Sequence, residues 1–215
     1  MYVSADPRYS IEIRGTTPPN PYFPDRDVQL MSRTNTKDYL GLSHVMPAGL
    51  KQTSSVVSIG FRVDETAPNT FTQGSVDLNL SPLDREVFVV LAVNLDPFTP
   101  DGLAGIDTSV NTSLTTTSQT AVANLSNSNC LANANTHLKA AGFVDAVAPL
   151  MTGAIETPPA TLDYIGIIAT NDFFVQVAGI GNTNARGITG KVYGYRARAD
   201  AAIYSALVQS EVLSA

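Results

Sequence analysis

Ser75-Val76-Asp77-Leu78-Asn79-Leu80, then Ser81-Pro82-Leu83-Asp84-Arg85, then Val87-Phe88-Val89-Val90-Leu91-Ala92-Val93 is the stretch whose reading decides the fold. The first segment alternates polar and apolar residues, the period-2 pattern of a strand with one wet face. The second is turn chemistry. The third is apolar throughout, rich in β-branched residues and free of Gly and Pro. It is too short to span a bilayer and so predicts a central strand buried on both faces. The two strands read as a hairpin that nucleates a β core. No catalytic or metal signature lies in it.

Outward from this core the pattern stays β. Ser55 to Val63 alternates, with Val57, Ile59, Phe61 and Val63 on one face, and Phe71 opens the next strand. Met46-Pro47-Ala48-Gly49 is a turn, preceded by a weak strand at 38–42. Thr108 to Ala123 is thick with Thr and Ser, with Val110, Thr112, Leu114, Thr116 and Ser118 on one side. Such a strand suits a sheet covered on both faces, or one that pairs at its edge with another copy. Leu162 to Ala169 and Phe173 to Val177 read as a second hairpin about a tight turn at 170–172. Ile188 to Ala199 is a strand, and Asp200 caps a closing helix with Ile203, Leu207 and Leu213 on one stripe and Tyr204 and Val208 beside it.

Residues 127–150 change character. Leu131, Ala134 and Leu138 fall at helical spacing in an Ala-rich run that Gly142 can end, which predicts a helical insertion. About eight strands without a βαβ rhythm give an all-β fold: an antiparallel β-sandwich, jelly-roll or Greek-key-like, with that insertion and a short C-terminal helix. The expected organisation is an extended proline-rich arm over 1–35 and one sandwich domain over 36–215. Residues 17–24 hold four prolines, which forbid helix and break sheet pairing. With Tyr22 and Phe23 embedded, this arm packs across its own domain or reaches a neighbouring subunit.

Composition bounds the function. Charged residues are 15% of the chain, against roughly a quarter in average domains, and Ser, Thr and Asn supply about a quarter instead. A surface of small uncharged polar groups loses little desolvation energy on packing against a neighbour. That suits either a subunit in contact with copies of itself or a surface β domain. The net charge of −6 opposes attraction to nucleic acid or anionic membrane. Arg186, Lys191, Arg196 and Arg198 form a local basic exception, read either as a solvated strand face or as an anion or nucleic-acid contact. The lone Cys130 excludes an intramolecular disulfide. The first residues lack a basic n-region and an apolar h-region, so synthesis in a cytosol without a signal peptide is expected. No stretch is long enough for a membrane helix.

Candidate chemistry is sparse. Asp96, Asp101 and Asp107 invite a calcium reading, but their spacing departs from the EF-hand pattern, and turn chemistry accounts for them. Cys130 and His137, seven residues apart, would share a helix face, yet a metal or nucleophile site needs further partners. The glycines at 179, 181 and 187 do not open a helix, so a phosphate cradle fails. No cofactor and no catalytic residue is expected.

The retained first Met, the proline arm, the charge-poor core with Thr-rich strands, and the strand Tyr193-Gly194-Tyr195-Arg196-Ala197-Arg198-Ala199-Asp200 running into a helix together give a resemblance. In these features the chain resembles coat and other virion structural proteins of bacterial and archaeal viruses. The resemblance implies a non-enzymatic subunit located in the virion. Such a subunit self-assembles in many copies into a shell or tube, with other virion proteins as possible partners. The inter-subunit contacts are then expected at Pro18, Pro19, Pro21, Tyr22 and Phe23 of the arm and at Tyr204 and Leu207 of the closing helix. The chain departs from many coat proteins in lacking a basic arm, so direct nucleic-acid binding would be minor. The alternative is a non-catalytic ligand- or glycan-binding β-sandwich, which the absence of Trp disfavours.

Overall fold

The computed structural model describes residues 46–140, 150–155 and 162–213. The arm at 1–35, the weak strand at 38–42 and the stretch 141–149 lie outside them. The strands are β1 (Leu50–Gln52), β2 (Val57–Asp64), β3 (Thr72–Asp77), β4 (Glu86–Pro97), β5 (Thr108–Thr115), β6 (Cys130–Lys139), β7 (Leu150–Ile155), β8 (Gly166–Ile168), β9 (Asp172–Ile180) and β10 (Gly187–Ala199). One helix, α1 (Ala201–Leu213), follows them.

Four antiparallel pairs are nested along the chain: β2 with β10, β3 with β9, β4 with β8, and β5 with β6. Rolling this long ribbon adds β10–β4 and β9–β5 contacts and closes two sheets. Sheet A runs β2-β10-β4-β8, with β1 sharing the edge of β10. Sheet B runs β3-β9-β5-β6-β7. This is the strand order of a jelly roll, the narrower of the expected sandwiches.

The order corrects both expected hairpins. β3 and β4 belong to different sheets, as do β8 and β9, so each turn between them carries the chain across the sandwich. The helical insertion is also corrected: Cys130–Lys139 is strand β6. Ala132, Ala134, Thr136 and Leu138 are buried while Asn133, Asn135 and His137 alternate with them, a period of two that the helical spacing of three apolar residues masked. Pairing with β5 on one side and β7 on the other overrides the helix propensity of alanine.

The core lies between the sheets. Phe88, Val90, Ile168, Ile188 and Val192 of sheet A meet Val110, Leu114, Phe173, Val175 and Val177 of sheet B. Phe61 and Phe173 touch edge to face across the gap, centroids 6.0 Å apart. Thr112 sits inside this layer because its hydroxyl donates to the Ala134 carbonyl. A second cluster covers the outside of sheet A. There Val87, Val89, Tyr195 and Ala197 take Ile203, Tyr204, Leu207 and Val208 of α1. Of the apolar run at 87–93, Val87–Val90 is buried on both faces as expected, one side by sheet B and the other by the helix, whereas Leu91 and Val93 are half-buried and Ala92 is exposed. A register shift at Tyr193/Gly194, with Leu91 of β4 as the extra residue, interrupts the β10–β4 ladder. Gly194 is required there, since a Cβ would overlap the Val89 carbonyl and the Phe88 ring.

Candidate interaction surfaces

The residues singled out in the sequence go to different places. Pro18, Pro19, Pro21, Tyr22 and Phe23 lie outside the described residues. Tyr204 and Leu207 pack against the chain's own sheet A. Leu213, expected on the same stripe, is instead 85% exposed, and the buried residue of the last turn is Glu211. Its carboxylate accepts from the Ala169 and Thr170 amides at 2.9 and 3.0 Å, tying α1 to the crossing between the sheets. Burial pushes this carboxyl above the ordinary carboxylate range, against the opposing pull of those donors.

The four cations of 186–198 do not gather on one face. Arg186 pairs with Asp101 at one end of the sandwich. Lys191 is exposed between Gly190 and the core residue Val192. Arg196, beyond the register shift, donates to the Leu78 carbonyl at 2.8 Å. Arg198 reaches Asp84 at 3.2 Å. Strand alternation sets Lys191 on the opposite side of β10 from Arg196 and Arg198, and Arg186 precedes the strand, so a cluster compact in sequence is spread out.

The aspartates also separate. Asp96 is exposed on β4. Asp101 accepts from the Thr183 and Asn184 amides at 2.9 and 3.0 Å. Asp107 binds Lys139 at 2.8 Å and the Ala140 amide at 2.9 Å. Beside the Asp101–Arg186 pair, Glu65 accepts from the Gly179 and Arg186 amides, and Asn182 bonds the backbone of Asp101 and Ser109. Three connections (65–71, 98–107 and 181–186) are thereby locked together at one end. As a strand rather than a helix, β6 holds Cys130 and His137 roughly 23 Å apart along its length, which removes any pairing between them.

The outer face of sheet B carries the feature that sequence reasoning missed. Ser113, Thr115 and Gln176 point away from the apolar core yet are fully buried, because the 116–129 connection folds back over them. Ser113 donates to Gln176 Oε1 at 2.7 Å, and Gln176 Nε2 donates to Thr115 at 2.7 Å and to Gln73 at 3.0 Å. The roof closes the network: the Gln119 amide donates to Gln73, and the Ala123 amide donates to Ser113. Of the two uses expected for a Thr-rich strand, coverage on both faces is the one present on β5.

Beside the roof the same face opens into a groove of about 340 Å³. Its floor is Asn111, Asn133, Asn135 and Ala178, its wall the 120–124 segment, and Phe71 stands at its margin. Asn111 and Asn135 are cross-strand partners. The signal for this site was the spacing of Asn133 and Asn135, which a helical reading of that stretch conceals.

Family models and curated proteins give no match to this chain. Among solved structures it is similar to one from Desmodium yellow mottle tymovirus, with 14% sequence identity and a TM-score of 0.27. That likeness covers 73% of this chain and 96% of the other.

Proposed function

We propose that this chain is a structural subunit that self-assembles into a virion shell or tube and catalyses no reaction. The observation that carries the reading is the pair of sheets ordered β2-β10-β4-β8 and β3-β9-β5-β6, a jelly roll of the kind that recurs in viral capsids. The same architecture serves lectins and cupins, so the contents of the sandwich matter as much as its topology. Here the space between the sheets is filled by buried Phe, Val, Leu and Ile side chains, each exposed by less than a tenth, with half-buried apolar residues packed around them, which suits a rigid building block. The charge-poor, Ser-, Thr- and Asn-rich composition supports the same reading, since such surfaces desolvate cheaply against copies of themselves. Partners are then other copies and further virion proteins.

Light scattering on the purified protein, with negative-stain microscopy of the same sample, tests this. Closed particles, tubes or rings are expected. A monomer persisting at high concentration overturns self-assembly. Removal of residues 1–24 is expected to leave a folded monomer with an unchanged melt, and normal particles from the truncated chain would rule out the arm's role.

A further inference from the structure

We propose that the groove on the outer face of sheet B is a binding site for a neutral carbohydrate. The polar groups that line it are uncharged: the amides of Asn111, Asn124, Asn133 and Asn135 and the Thr120 hydroxyl. Nothing in the lining compensates a charge on a ligand, and the chain's net charge of −6 opposes an acidic sugar.

The amides are held ready by bonds within the fold. Asn133 Nδ2 donates to the Ala123 carbonyl at 2.7 Å, anchoring floor to wall. Asn135 Nδ2 donates to Asn133 Oδ1 at 2.6 Å, while its Oδ1 accepts from the Thr112 amide. Asn111 Nδ2 donates to Ser109, and Asn124 Oδ1 accepts from Ser126. Among the described residues, these bonds leave Asn111 Oδ1 as an acceptor and Asn124 Nδ2 as a donor, both on residues that line the groove. Fixed amides with one half spare match the paired donor and acceptor of a sugar hydroxyl, and preorganisation lowers the entropy lost on binding. The remaining lining is apolar: Ala121, Val122, Ala123, Ala178 and the Phe71 ring. That surface complements the C–H face of a pyranose. The volume lies at the small end of ligand sites and suits one or two sugar units. The site lies on a different face of the domain from α1, and it does not depend on assembly.

Saturation-transfer NMR with lactose, N-acetyllactosamine, maltose and chitobiose, and with sialyllactose as the charged comparison, tests the proposal on the full chain. At least one neutral disaccharide is expected to take up saturation, with amide shifts confined to 71, 111, 120–124, 133–135 and 178. Asn111→Ala and Phe71→Ala should each weaken binding about tenfold, the scale of one good contact. Ala121→Trp, on an exposed part of the wall, should block the groove with the melt unchanged. Lys191→Ala, on sheet A, should change nothing. No saturation of any neutral probe, equal binding of sialyllactose, or binding that survives Ala121→Trp would each overturn the proposal.

Discussion

The carboxylate of Glu211 shows how one residue can fix an element that patterning alone leaves loose. It is 6% exposed at the end of a helix whose neighbouring Val212 and Leu213 are open to solvent. The Ala169 and Thr170 amides at the sheet crossing find their acceptors in it. Glu211→Ala strands the buried Ala169 amide, and a loss of roughly 1–3 kcal/mol is expected at neutral pH. The pH dependence follows from the raised carboxyl. Between the ordinary carboxylate value and the raised native one, the folded state binds more protons than the unfolded state, so stability falls as pH rises through that window. Melts of both proteins from pH 4 to 7 should therefore show the wild-type advantage largest at the acid end. An advantage that grows toward neutrality would mean that the two amide donors outweigh burial.

At the scale of elements, the fold depends on what covers the outer face of each sheet. Sheet A uses α1: Ile203, Tyr204, Leu207 and Val208 lie on Val87, Val89 and Tyr195. Full burial of such a side chain contributes roughly 1.5–3 kcal/mol, so four half-buried ones contribute several. Ending the chain at Asp200 should lower the melting temperature markedly and raise binding of an apolar dye. An unchanged melt would show that the helix is dispensable. Sheet B uses polar cover instead, the 116–129 connection over Gln73, Ser113, Thr115 and Gln176. The bonds among Gln73, Ser113, Thr115 and Gln176 specify one register, because a slip would leave buried groups unpaired. The Thr and Ser richness of that stretch is therefore an interior property as much as a surface one.

For the whole molecule, charge and topology bear on partners. The basic residues of 186–198 are dispersed, with Arg186 and Arg198 paired to Asp101 and Asp84. Dispersed cations on a chain of net charge −6 release few counterions from a nucleic acid. No retention of single-stranded RNA is expected in a mobility-shift measurement at physiological salt. A complex that weakens steeply with salt would reveal a basic surface outside the described residues. In an assembled shell, many copies of a weak groove on sheet B would act together, so that avidity exceeds the single-site affinity.

Much of this was legible in the residues themselves. Alternation at 57–63 and 75–77, the apolar run at 87–93 and the apolar stripe after Asp200 mark strand and helix correctly, whereas Leu78–Leu80, read as the end of a strand, lies beyond β3. These are local properties, set by side-chain period and backbone propensity, and the sequence determined them unaided. Strand partners were not legible. Adjacent strands default to hairpins in a sequence reading, whereas β3 and β4, and β8 and β9, part to opposite sheets because each pairs with a strand far along the chain, β3 with β9, β4 with β10 and β8 with β4. The same long-range pairing turned the alanine-rich 130–139 into a strand. It also split the 186–198 cations, buried Glu211 and brought Asn111 beside Asn135. Those outcomes depend on contacts between residues distant in sequence, whose energies no local pattern records, and only the tertiary structure decided them.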